Sequence, residues 1–233
     1  MKALLVDLDD TLLDYSGGVD ECWTAACETM ARPAGIDTAV LIEAVRKARR
    51  WFWDDAERHR RERVDMPGAW RKIAAHGLER LGAPNPVLAA AVAQDFAARR
   101  WAAMRLFPQV PEVLGRLRRD GVPMALVTNG DKSQQREKIE RYDLGRYFDV
   151  ILIEGEFGVG KPEAAVYRHV LERLGVPAAE AWMVGDHLEW DVAAPQRLGL
   201  RGIWIDRERT GLAADAAVRP HRIIREFPEI VES

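Results

Sequence analysis

Five short apolar runs, each about the length of one strand and each parted from the next by helix-period sequence, constrain this chain more than any other feature. They cover residues 3–8, 122–127, 150–153, 181–184 and 202–205. Strands covered by helices on both faces lose the polar–apolar alternation of a half-exposed sheet and become continuous apolar stretches. The segments between the later runs keep a helical period. Val110, Val113, Leu114 and Leu117 share one face with Gly121 as a stop, and Val166, Val170 and Leu174 precede Gly175 in the same way. Strand and helix in alternation predict an α/β fold built on a doubly wound, Rossmann-like parallel sheet.

Residues 15–105 break the pattern. Val40, Leu41, Ala44, Val45, Ala48 and Phe52 trace one helix face, Leu88, Val92 and Phe96 another, and no strand period intervenes. Segments 14–18 and 104–108 bracket this stretch as linkers and candidate hinges. The expected organisation is a core formed by residues 1–14 and 106–233, with an all-α domain, 15–105, inserted after the first strand. A chain of 233 residues can support both hydrophobic cores.

Several classes of protein are disfavoured. No apolar run approaches the roughly 18 residues of a membrane helix, so no membrane partner is expected. The stretch after Lys2 is interrupted at once by Asp7, Asp9 and Asp10, unlike a secretory signal. Cys22 and Cys27 are the only cysteines and read as reduced thiols, which suits a cytoplasmic protein. A net charge of −3 gives no reason to expect nucleic acid as partner. Oligomeric state leaves no trace in the sequence.

The chemistry gathers at the ends of the apolar runs. If the first strand ran on to residue 8, Asp7 and Asp9 would point the same way as it ends, and open α/β sheets bind ligands beyond the carboxyl ends of their strands. Two like charges held there need a cation or a shared proton. An isolated Asp-x-Asp is by default a solvated acidic turn, and the other strand ends lower that expectation. The second run leads into Thr128, Asn129 and Gly130, a hydroxyl and backbone N–H groups at a helix entrance. The fourth leads into Gly185 and Asp186, with Asp191 five residues on. Lys161 precedes Pro162, a residue suited to the first turn of a helix. Alone, Thr128 would be a helix cap, Lys161 a surface lysine and Asp186 a turn residue.

In order, Asp7-x-Asp9-x-Thr11, Thr128-Asn129-Gly130, Lys161-Pro162 and Gly185-Asp186-x-x-x-x-Asp191 match the four motifs of the haloacid dehalogenase superfamily, which this chain resembles over its α/β part, about three fifths of its length. The helical insert is similar to that superfamily's cap domain of the type lying between the first and second motifs. The resemblance implies a Mg²⁺-dependent phosphatase acting on a small phosphorylated metabolite, a sugar phosphate or nucleoside monophosphate. Asp7 would be the nucleophile and Asp9 the acid and then base. Thr128, Asn129 and Lys161 would hold the phosphoryl group. Asp7, the Asp9 main-chain carbonyl and Asp186 would bind the metal, with Asp191 either assisting through water or orienting Lys161. Glu189 lies close enough in sequence to compete for that last role. Family dehalogenases lack the second aspartate of the first motif, so Asp9 favours phosphoryl chemistry. A phosphoryl-group mutase of the same superfamily would keep both aspartates and is a rival. A non-catalytic, phospho-accepting receiver-like switch also uses an acidic cluster, Thr and Lys, but the Asp7-x-Asp9-x-Thr11 signature and the helical insert count against it.

Other signals are decoys or secondary. Gly155 to Lys161 imitates a nucleotide-binding loop, but Pro162 stands where its Ser or Thr belongs. No serine lies in a G-x-S-x-G elbow. His187 reads as an exposed loop residue beside Asp186. Between Arg46 and Arg63, eight Lys or Arg residues interleave with Trp51, Phe52 and Trp53. Asp54, Asp55, Glu57 and Glu62 dilute that charge, so a solvated helix face with buried aromatics is favoured over nucleic-acid binding. Trp51, Trp53, Arg58 or Arg61 could alternatively select substrate.

Overall fold

The computed structural model describes residues 2–231. In chain order the elements are β1 (Ala3–Val6), β2 (Leu13–Asp14), α1 (Val19–Ala31), α2 (Thr38–Trp53), α3 (Ala56–Glu62), α4 (Met66–Arg80), α5 (Pro86–Ala103), β3 (Arg105–Leu106) and α6 (Val110–Arg119). There follow β4 (Met124–Thr128), α7 (Lys132–Arg141), β5 (Val150–Ile153), α8 (Glu154–Phe157), α9 (Ala164–Leu174), β6 (Ala181–Gly185), α10 (Ala194–Gln196), β7 (Arg201–Ile205) and β8 (Arg222–Ile224). They divide into two compact units, one formed by the chain up to Asp14 and from Arg105 onward, the other by Tyr15–Met104.

The first unit is an α/β layer built on a six-stranded sheet of order β5-β4-β1-β6-β7-β8, parallel throughout. The chain builds outward from β1 through β4 to β5, then returns to β1's other side with β6. The strand order therefore reverses between β1 and β6, and that is where a doubly wound sheet opens a crevice at its carboxyl ends. Apolar residues alternate between faces. Ala3, Leu5, Ala125, Val127, Ala181 and Met183 pack with Val166, Tyr167 and Val170 of α9 in one buried cluster.

Two expectations need correction. β1 ends at Val6, not at residue 8, because the chain turns back on itself. Leu12 and Leu13 both donate main-chain N–H groups to the Leu8 carbonyl, at 2.9 and 3.1 Å, and Asp10 takes the left-handed conformation at φ 60°. The linkers expected at 14–18 and 104–108 are partly ordered as a ribbon, with β2 antiparallel to β3. β8 has no counterpart in the sequence reading. Three residues beginning with an arginine are too short to show a period, and the strand exists by pairing with β7.

The second unit is all helix. Asp37, Asp55, Asp65 and Asn85 each cap the helix that follows by accepting a main-chain N–H three residues on, a contribution of about 1 kcal/mol per cap. Its core centres on Trp23 stacked on Phe96 at 3.9 Å, with Trp70 edge-on to Phe96 at 5.2 Å. The basic and aromatic stretch is largely engaged within this unit. Arg58 donates to the Phe52 carbonyl at 2.8 Å and lies 3.8 Å over the Trp51 ring, which stacks on His76 at 4.0 Å. Phe52 is buried as expected, but Trp51 remains 47% exposed. Arg61 pairs with Glu62. Cys22 and Cys27 are buried and unbridged, and burial pushes the Cys27 thiol up to about 12. Among the described residues no helix is long and apolar enough to cross a membrane.

Candidate active site

The site forms where β1 and β6 end, within the α/β unit. Asp7 follows β1 directly and still donates its N–H to the Val184 carbonyl of β6 at 3.0 Å, so its main chain is fixed by the sheet. Its carboxylate is gripped from two sides. The Thr11 hydroxyl donates to Oδ2 at 2.9 Å, and the Lys161 ammonium donates to Oδ1 at 2.6 Å. The turn after Val6 is thus what lets the threonine four residues on reach back to the aspartate.

Lys161 bridges Asp7 to Asp191, donating to Asp191 Oδ1 at 2.7 Å. Lys161 and Asp191 are each only 1% exposed. Burial alone would lower the ammonium's pKa, but Asp191 and Asp7 outweigh it and keep the group charged. The other Asp191 oxygen accepts the His187 main-chain N–H at 3.1 Å. Gly185 makes this packing possible, because a Cβ there would sit 2.2 Å from Asp191 Oδ2. Asp191 is thus a direct hydrogen-bond partner of Lys161. Glu189, the competitor in sequence, instead pairs with Arg197 at 2.6 Å.

Asp7, Asp186 and Asp191 can each offer a carboxylate oxygen, all within 4.8 Å of one another. Burial, followed by the charges of Asp7, Asp191 and Asp10, pushes the Asp186 carboxyl up to about 8. Burial raises Asp7 to about 6 against the pull of Lys161. An all-oxygen, anionic donor set under this repulsion suits a hard divalent cation such as Mg²⁺.

Thr128 ends β4 and is buried. Asn129 and Lys161 clasp each other: the Asn129 amide donates to the Lys161 carbonyl at 2.8 Å, and the Lys161 N–H donates to Asn129 Oδ1 at 2.7 Å. The Asn129 side chain is thus engaged with the Lys161 main chain. Gly160 allows this, since a Cβ there would lie 2.6 Å from Asn129 Oδ1 and from a Glu154 oxygen. That contact explains the Gly-Lys pair that imitates a nucleotide-binding loop. Pro162 follows Lys161 across a cis peptide bond and precedes α9, whose cap is Glu163, rather than occupying its first turn. His187 is exposed at its outer side and stacks on Trp190 at 3.9 Å; the partial loss of water around its ring, then the Lys161 charge, hold its pKa below the usual histidine range.

Asp9 stands apart from that cluster of three. Lys138 of α7 meets both its oxygens, at 2.9 and 2.8 Å, and Gln135 donates to Oδ2 at 3.0 Å. Neither α7 residue was singled out in the sequence. A signal existed: α7 reads Lys-Ser-Gln-Gln-Arg-Glu-Lys-Ile-Glu-Arg, with one apolar residue, so any face it buries must be polar. Residues 135, 138 and 139 are the buried ones.

Sheet order and site together define a Rossmann-type fold with carboxylates and a buried lysine gathered at a topological switch point. The family profile described as "haloacid dehalogenase-like hydrolase" matches residues 1–199. A phosphoserine phosphatase of Thermus thermophilus is 34% identical, covering 89% of each chain. A glyceraldehyde 3-phosphate phosphatase of Methanopyrus kandleri is 31% identical over 89% of this chain and 84% of its own. The crystal structure of a phosphatase of the same superfamily from Thermococcus onnurineus superposes with a TM-score of 0.66 at 25% identity, over 99% of this chain and 96% of that one. The chain belongs to the haloacid dehalogenase-like hydrolase family and is an enzyme of its phosphatase type.

Proposed function

We propose that this enzyme hydrolyses a small phosphorylated metabolite through an aspartyl-phosphate intermediate on Asp7. The observation that carries the reading is the Lys161 ammonium seated between Asp7 and Asp191 at 2.6 and 2.7 Å, with Asp9 held separately on Lys138. One carboxylate is thus oriented beside a fixed cation, and a second is free of that grip for proton transfer.

Thr11 and Lys161 fix the orientation of the Asp7 carboxylate. An Asp7 oxygen attacks phosphorus as the bond to the leaving oxygen breaks, and Asp9 supplies the proton that oxygen takes up. Asp9 then accepts a proton from water, whose oxygen attacks phosphorus and frees Asp7. Lys161 would neutralise phosphoryl charge in both steps. Thr128 and the Asn129 main chain are the groups assigned to the remaining phosphoryl oxygens. Mg²⁺, held by Asp7, the Asp9 carbonyl and Asp186, would neutralise charge on the phosphoryl group. Asp191 supports the site by holding Lys161.

The helical unit, inserted between β2 and β3, is assigned the role of cap, the part of the chain left to choose the substrate. Phosphoserine, glyceraldehyde 3-phosphate and sugar phosphates are the first candidates, from the activities of the relatives. Phosphate release over a metabolite panel, with and without Mg²⁺ and with Asp7→Asn as blank, tests the reading. Many Mg²⁺-dependent turnovers per enzyme are expected. A single turnover would instead point to a phospho-accepting switch, and exchange of phosphoryl position without phosphate release to a mutase.

A further inference from the structure

We infer that Lys138 and Gln135 of α7 are positioning residues for Asp9, holding its carboxylate in place and tying it to the phosphoryl-binding end of β4. The inference rests on the reading of Asp9 as acid and base.

The geometry is a closed polar network. The Lys138 ammonium lies 2.9 and 2.8 Å from the two Asp9 oxygens. The Gln135 amide nitrogen shares its two hydrogens among three acceptors within reach: Thr128 Oγ1 at 2.6 Å, Asp9 Oδ2 at 3.0 Å and the Asn129 carbonyl at 3.1 Å. One glutamine thus links the proton-transfer carboxylate to the hydroxyl assigned to the phosphoryl group. Asp131 caps α7, accepting the Gln134 N–H at 2.9 Å, and residues 135 and 138, three apart, share the buried face of that helix.

The fold does not demand this chemistry. Lys138 and Gln135 are both 2% exposed. Apolar side chains of similar volume would fill the same space without the cost of desolvating a charge and an amide. Their polarity serves the carboxylate they face. Swinging Asp9 out of the site would draw a carboxylate off a buried ammonium that meets both its oxygens, so Lys138 confines Asp9 to short movements about its present place. A proton-transfer group gains most from such confinement when the leaving oxygen is poor, because that oxygen needs its proton as the bond breaks.

The test measures kcat and KM for D9N, K138M and the double variant on p-nitrophenyl phosphate, whose leaving group needs little protonation, and on the best alkyl phosphate from the panel. The expected loss in kcat for K138M is at least about tenfold greater on the alkyl than on the aryl ester, with KM changed less than about threefold. In the D9N background K138M should add less than about twofold, since it acts through Asp9. Q135L should show the same preference more weakly, and K138R should recover part of the loss. Equal losses on both esters, or an undiminished effect in the D9N background, overturn the inference while leaving Asp9's role intact. A D9N enzyme with no leaving-group dependence overturns both. If K138M fails to fold by circular dichroism, K138R and Q135L carry the same comparison.

Discussion

Asp7 is held by a hydroxyl and an ammonium, yet burial still outweighs them and raises its carboxyl to about 6. Its charge therefore costs the metal-free fold some stability near neutral pH. Asp7→Asn should lower kcat by about three orders of magnitude or more, while the metal-free variant melts no lower than wild type at pH 7.5. A large drop in melting temperature would show that the Lys161 pairing dominates instead. Gly185→Ala is expected to do the opposite, harming the fold as well as the chemistry. The new Cβ meets the Asp191 carboxylate at 2.2 Å, displacing it from Lys161. Overpacking of this kind costs about 1–3 kcal/mol, readable by urea denaturation, with kcat falling in parallel.

At the scale of elements, strands and helices differ in how plainly they are written. β1, β4, β5, β6 and β7 are legible because both faces of the sheet demand apolar residues. Their ends are not, because termination depends on what the chain does next: at β1 it is the left-handed turn at Asp10 that stops the strand. α7 is the reverse case, a helix capped by Asp131 rather than Thr128, whose single apolar residue leaves no apolar period to mark its inner face. Asp131→Ala should reduce unfolding free energy by about 1 kcal/mol, and kcat should fall by a smaller factor than in K138M, since the helix remains. An activity loss equal to that of K138M would mean that the cap, not the packing of α7, places residues 135 and 138.

For the whole molecule the acidic cluster makes stability depend on pH and metal together. Asp7 and Asp186, at about 6 and about 8, both bind protons more tightly than the usual carboxylate near 3.8. A group raised on folding adds stability that is complete below its unfolded pKa and is lost as pH rises through the folded one. The metal-free protein should therefore lose melting temperature steadily from pH 5 to pH 8.5. Mg²⁺ should restore it, and by more at pH 8.5, where the carboxylates need shed no protons to bind it. Melting curves at both pH values with and without Mg²⁺ check this; a Mg²⁺ gain larger at pH 5 would contradict it.

Sequence by itself determined the class of fold, the helical insertion after the first strand and the polar residues that gather at the strand ends. Each of these is local: an apolar run, a helical period, or a polar residue placed just beyond a strand. Thr11, Lys161 and Asp191 could be named from motif order alone. Tertiary structure decided which charges pair. Asp7 and Asp9, two residues apart and read in the sequence as one acidic pair, take different lysines because the turn after Val6 sends their carboxylates to different partners. Lys161 is 154 residues from Asp7 and Lys138 is 129 from Asp9. No local pattern spans such distances; only the order of strands across the sheet brings those partners to the carboxyl end of its central strands.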